Sequence, residues 1–347
     1  MAAEPLVRRR FLALAAAGAA GLLAACTGTG SAGAGTTTAS TGDTVSNPLQ
    51  GMSFHVLPDS PAALQVAQWQ ATGDSTDAAN AEQLSVVAQA PVATWFSGQH
   101  TDPQAAAEEL TTAAQSAGQV PIIVAYNIPG RDAGSYSAGG AADADAYATW
   151  VAQVAAGIGD RPAVVVVEPD AVAHAVDGTA GTTSAEERYA MLASAVGTFS
   201  ALSATNVYLD AGNSAWITDL DALSQALWAS GIDDADGFSL NVSNFQTTAD
   251  SLAYGKELST WLDGARFVVD TSRNGAGAVS KSEDADAWCN PPSARIGTTP
   301  TTTTGSALAD AYLWVKEPGV SDGDCRDGAP AAGEWWAEYA LVLTSDA

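Results

Sequence analysis

Carboxylates recur just past the apolar runs of this chain: Asp132, next to Arg131, after VPIIVAYN; Glu168 and Asp170 after AVVVV; Asp210 after NVYL; Asp270 after RFVV; and Asp322 after AYLWVK. Carboxyl groups held close together raise one another's pKa, so one stays protonated near neutral pH while its neighbour is ionised. Hydrolysis of a glycosidic bond needs that division: a protonated carboxyl serves the leaving oxygen and a second carboxylate activates water or attacks, with no cofactor. Lys316, Arg273 and the aromatics Trp95, Tyr126, Trp216, Trp288 and Trp314 accompany these groups, and ring faces suit a flat, hydroxyl-rich ligand. Part of the set has a plainer reading, because Asp also caps helices and lines solvated loops in an acidic chain. The histidines (His55, His100, His174) read as isolated, without zinc-ligand spacing, and GxSxG is absent. Metal chemistry and acyl transfer are therefore not expected, and no cofactor is implied.

The elements that must position these groups are short β-rich runs alternating with Ala-rich stretches. Eight candidate strands follow one another: SFHVL, PVATWF, VPIIVAYN, AVVVVE, NVYLD, GFSLN, RFVVD and AYLWVK. Between them, segments such as 104–117 and 183–203 have helical composition and length. Nearly continuous apolar strands separated by helices predict a parallel sheet buried on both faces. Without a GxGxxG fingerprint, a closed or nearly closed barrel is favoured over a dinucleotide-binding sheet. Such a barrel collects its functional groups where strands end and the following loops begin. The Thr-rich run at 298–304 reads as a surface loop.

Of the 347 residues, 39 are Asp or Glu and 13 are Lys or Arg, for a net charge of −26, which excludes a nucleic-acid partner. A hydrophobic fraction of 47% excludes general disorder. Residues 8–25, RRRFLALAAAGAAGLLAA, predict a signal peptide, with a twin-arginine pattern at Arg8-Arg9-Arg10. Leu23-Ala24-Ala25-Cys26 reads as a lipoprotein box in which Cys26 is lipidated; a chance cysteine after an ordinary signal is the alternative. The expected organisation is a signal at 1–25, a lipidated cysteine and Ser/Thr/Gly tether at 26–46, and one catalytic domain at 47–347. Localisation is then extracellular, at the outer face of the cell membrane, with membrane contact only through the anchor. Cys289 and Cys325 remain as an even pair, for which a disulfide is the default in an exported protein and two buried thiols the alternative.

At the rim segments the sequence resembles glycoside hydrolase family 6, the inverting endoglucanases and cellobiohydrolases acting on β-1,4-linked glucan. The strings that carry the resemblance occur in family order: AYNIPGRDAGSYSAGG, VVVVEPDAVA, VYLDAGNSAW, GFSLNVSNF, FVVDTSRNG, WCNPPSARIGTTPT, DAYLWVKEPGVSDG and GEWWAEYA. The resemblance implies an α/β fold, a distorted parallel β/α barrel of about seven strands in a single domain, so one of the eight candidates is surplus. It implies Asp170 as general acid, Asp132 as the residue tuning that acid and organising water, and Tyr126 as the tyrosine beneath the cleaved sugar. Asp322 matches the aspartate proposed as base, a role contested by water-chain activation. Trp95, Arg131, Ser137, Asp210, Asn213, Trp216, Asn241, Trp288 and Lys316 match sugar-binding positions.

Three departures accompany the resemblance. Ala133 stands where many members have a cysteine, Asn213 replaces the histidine of DAGH, and Val320 replaces the glutamate of PGESDG. The last two touch the substrate cleft, so substrate choice is less determined than reaction type. The expected partner is a β-glucan polysaccharide or oligosaccharide acted on by a monomer, with soluble or amorphous glucan favoured because no separate carbohydrate-binding module is visible. A glycan-binding lipoprotein with the same fold and little turnover, or a hydrolase of another β-glucan, are the competing readings. Endo or exo action depends on whether segments 131–145 and 276–309 roof the cleft.

Overall fold

Valine and isoleucine dominate the runs IIVA and AVVVV, and β-branched side chains fit a pleated surface that is covered on both sides. The computed structural model describes residues 46–345, apart from 182 and 281. The expected signal peptide, lipidated Cys26 and tether lie outside the described residues. Seven strands, β1 (Thr94–Phe96), β2 (Ile122–Ala125), β3 (Ala163–Val167), β4 (Thr205–Asp210), β5 (Gly237–Leu240), β6 (Arg266–Asp270) and β7 (Ala309–Leu313), form one sheet in sequence order. Every neighbouring pair is parallel. Around them lie α1 (Pro61–Thr72), α2 (Ser75–Ala88), α3 (Pro103–Ser116), α4 (Ala144–Ile158), α5 (Ala171–Val176), α6 (Ala185–Ser200), α7 (Leu220–Ala229), α8 (Thr248–Trp261) and α9 (Ala337–Thr344).

Alternation along each strand sorts side chains into two layers. Ile123, Val165, Val167, Val207, Leu209, Phe238 and Phe267 pack outward against the helices, with Val154, Leu192, Leu227 and Leu258. Ile122, Val124, Val164, Val166, Tyr208, Val268 and Leu313 fill the inside of the curl. All five residues of β3 are buried, and each valine there contributes about 1.5 kcal/mol or more of hydrophobic stabilisation.

The sheet is a curled half-barrel, and the surplus strand is the first candidate. SFHVL makes a single bridge, Phe54 to Val120, and places Phe54 in the inner core. The Thr-rich run also departs from expectation. Thr301 exchanges two 2.9 Å backbone hydrogen bonds with Tyr312, so the run pairs with β7 instead of lying free over the surface. An edge strand leaves N–H and C=O groups unpaired, and this segment satisfies one residue's worth on β7. Further along, Ala93 N–H donates to Trp314 C=O at 3.0 Å and the Trp95 indole to Val315 C=O at 2.8 Å. Those two bonds stitch the seam beside the carboxyl ends of the strands. Trp314 is fully buried with its indole on Thr298 C=O, a core residue.

Candidate active site

Four aspartates, Asp74, Asp102, Asp143 and Asp219, spend their carboxylates on backbone N–H groups at the starts of α2, α3, α4 and α7. Asp170 stands at the same place before α5 but makes no such bond, because its backbone is left-handed, with φ 70°. Its carboxyl is thereby kept for other work. Its own N–H donates to Asp210 Oδ2 at 2.9 Å, which fixes the turn.

Three strand-end carboxylates are spent as clamps. Glu168, fully buried, accepts from the N–H groups of Asn127 and Ile128 at 2.9 and 3.1 Å, and so holds the loop after β2. Asp210 is 1% exposed, and besides the Asp170 N–H it accepts from Gly212 N–H and the Ser239 hydroxyl. Asp270 ties together the loops after β5, β6 and β7 through the N–H groups of Ser243, Ser272 and Lys316. Burial pushes Glu168 up to about 7 and Asp210 up to about 6, with the backbone donors opposing it. Asn241 is clamped likewise, its amide donating to Asp270 C=O at 2.9 Å and accepting from Gln246 N–H.

Above the clamps sits the titratable pair. Asp132 opens a single 3-10 turn with φ 56°, and its Oδ2 accepts from Ser137 N–H at 2.6 Å. Arg131 braces the same loop from below by donating to the C=O groups of Ser97, Tyr126 and Ser137, with its guanidinium 5.0 Å from the Tyr126 ring. Trp95 meets Tyr126 edge-on at 5.2 Å. One oxygen each of Asp132 and Asp170 and one ring nitrogen of His174 lie within 4.8 Å of one another. Burial raises the pKa of Asp170 well above the carboxylate range, and the charges of Asp210 and Asp132 add to it. Asp132 is raised by its own burial, against the Ser137 hydrogen bond.

Asp322 has the opposite bias. Burial works against its charge, but Arg273 and Lys316 outweigh it and hold the carboxyl below its ordinary range. Arg273 donates to Oδ2 at 2.7 Å, Lys316 Nζ lies 3.3 Å from Oδ1, and Asn290 N–H also donates to Oδ2. Asn290 is positioned by the Cys289–Cys325 disulfide beside it, the pairing expected for an exported protein.

The aromatic residues frame this centre unequally. Trp216 is half-buried, with its indole N–H on Asp177 at 2.7 Å; Asn213 is buried in the same turn, accepting from Ala215 N–H. Trp288 is 42% exposed and meets Tyr136, itself 46% exposed, at 5.6 Å between ring centres. The two segments considered as roofing thus touch through this pair. Tyr136, Asp177 and His174 were not singled out from the sequence as site residues. For His174 a signal existed, since four residues after Asp170 is one helical turn, and the reading of it as isolated is corrected by its place beside the pair.

A curled parallel half-barrel with carboxyl groups of opposed bias at the carboxyl ends of its strands defines an acid–base centre of the glycosidase class. The family model "Glycosyl hydrolases family 6" matches residues 49–347, and the chain belongs to that family. Endoglucanase A of Cellulomonas fimi is 42% identical over 283 residues, 80% of this chain but 58% of that protein's length. Endoglucanase 1 of Streptomyces halstedii is 42% identical over 299 residues, 84% of this chain and 88% of that one. Among solved structures, the endoglucanase Cel6 from Mycobacterium tuberculosis, in complex with methyl-cellobiosyl-4-deoxy-4-thio-beta-D-cellobioside, superposes with a TM-score of 0.77 at 40% identity. The match covers 86% of this chain and 98% of that one.

Proposed function

We propose that this chain hydrolyses internal β-1,4-glucosidic bonds of a cellulose-like glucan with inversion at the anomeric carbon. The observation that carries the reading is the placement of two unlike carboxyl groups. Asp170, free of any capping bond, lies within 4.8 Å of an Asp132 oxygen, whereas Asp322 is paired with Arg273 and Lys316. Burial and like charge therefore favour the acid form of the first, and two cations favour the anion of the second. Asp170 protonates the departing oxygen. Asp132, beside it, shares the proton and organises the attacking water. Tyr126, kept neutral by burial, lies beneath the reacting sugar. Asp322 is weakly basic, so it serves chiefly as an anion opposite the developing oxocarbenium charge. The names of the two bacterial relatives and the thio-oligosaccharide in the Mycobacterium tuberculosis structure support a β-glucan substrate and an endo-acting cut. Trp95, Trp216, Trp288 and Lys316 are the contacts proposed for it.

Inversion requires room for water on the far face of the ring. Early hydrolysis products followed by proton NMR should show the α-anomer first, before mutarotation. First appearance of the β-anomer would place the chain outside this mechanism, and no reducing ends from a panel of glucans would favour a glycan-binding role.

The same reading places the enzyme outside the cell on a lipid anchor, a proposal that rests on the sequence at residues 8–26. Cys26→Ser should move the protein from the membrane fraction to the medium with its specific activity unchanged; retention in the membrane fraction would contradict the anchor.

A further inference from the structure

His174 has a role in the site that neither its sequence context nor the assignment of Asp170 and Asp132 supplies. A chain of hydrogen bonds runs to it from the aromatic rim. The Trp216 indole donates to Asp177 Oδ2 at 2.7 Å, and Asp177 Oδ1 accepts from the Thr179 hydroxyl at 2.5 Å and from Thr179 N–H at 2.9 Å. Thr179 Oγ1 lies 2.7 Å from His174 Nδ1. Because the threonine hydrogen is given to Asp177, its lone pair must receive Nδ1–H, and this fixes the tautomer. With Nδ1 engaged, Nε2 with its lone pair is the nitrogen left for the carboxyl pair. The rings of Trp216 and His174 also meet edge-on at 4.8 Å, so one bracket holds both.

We propose that His174 is a positioning residue for the Asp132–Asp170 pair, held in register by the Asp177 bracket that also holds the aromatic platform Trp216. The proposal rests on the reading of this site as a glycosidase centre. Four ionisable groups face the imidazole: Asp132 from the loop after β2, Asp170 and Asp177 at the two ends of α5, and Arg188 from α6. Burial depresses its pKa below the ordinary 6.5; Asp177 and Asp132 oppose that and Arg188 reinforces it. At neutral pH the ring is therefore uncharged, and Asp132 is free to share the proton of Asp170 and to order water. On acidification the ring becomes an imidazolium, pairs with the Asp132 carboxylate and withholds it from that work. The acid limb of the activity profile then belongs to His174.

Two measurements test this on the intact protein. First, His174→Asn, which cannot become cationic, should lower kcat several-fold at neutral pH and move the acid limb of kcat to lower pH by about half a unit or more. Asp177→Ala should raise KM through Trp216 and move the same limb, and the double variant should shift it no further than His174→Asn alone. Profiles of wild type and His174→Asn that superimpose after scaling, or shifts that add in full, would overturn the proposal. Second, the ring of His174, one of three histidines, can be titrated by NMR with no substrate present. Its pKa should fall in Asp132→Asn, because an attractive charge is removed, and an unchanged value would overturn the contact. A wild type without glucan turnover would defeat the functional reading alone, since the NMR titration still decides whether His174 serves the pair.

Discussion

Asp170→Asn lowers turnover of unactivated glucan by about 100-fold or more, the usual contribution of a general acid. The amide keeps the shape and hydrogen-bonding reach of the side chain but has no proton to deliver to a poor leaving group. Aryl glycosides with an acidic phenol lose much less, because that group departs with little help. Stability responds the other way. Asp170 is forced above its ordinary pKa by burial and by Asp210 and Asp132, so its ionised form is disfavoured in the folded chain. A raised carboxyl pKa stabilises the folded state as pH falls and costs stability once pH exceeds the unfolded value. The neutral amide removes that cost, and the unfolding midpoint at pH 7 should rise while activity collapses. Kinetics on the two substrate types, paired with thermal unfolding, check both halves; wild-type rates on glucan would defeat the acid assignment.

Asp322→Asn is expected to cost activity and stability together. Its carboxylate sits between Arg273 and Lys316, and Arg273 is fully buried, so removing the anion strands a cation without its partner. Breaking a buried pair in this way costs about 3–5 kcal/mol, and the exposure of Lys316 and Asp322 to solvent at the cleft places this one near the lower end. The sign with pH follows from a depressed pKa: the pair stabilises above the unfolded value, about 3.9, and is lost as pH falls through the folded one. Wild type and variant should thus differ most at neutral pH and converge as the pH falls through the depressed folded-state value of Asp322 in chemical denaturation. Turnover should fall by about 100-fold, because two cations then face a transition state of developing positive charge. The acid limb should survive, since it belongs to the groups around Asp132. Its disappearance in Asp322→Asn would make Asp322 the base that accepts the proton from water.

Much of this protein is determined by sequence through local rules. Continuous apolar runs such as AVVVV demand burial on both faces, and runs of that kind separated by helical segments specify a parallel β/α sheet with its chemistry at the strand ends. The motifs around Asp132, Asp170 and Asp322 were legible for the same reason, being contiguous strings. Even the clamping role of Asp210 and Asp270 stood as an alternative, because aspartate so often serves a backbone. Which carboxylate is free and which is spent was a different matter. Asp170 and Asp210 both follow apolar strands, yet Asp170 is released by a left-handed backbone while Asp210 is consumed by the N–H groups of Asp170 and of Gly212 in its own loop and by the Ser239 hydroxyl of β5. The surplus strand at Phe54, the Thr-rich run on the β7 edge and the bracket from Trp216 through Asp177 to His174 share that origin. Their partners are brought from separate strands and loops, so only the closing of the sheet decides which polar groups meet and which charges must be shared.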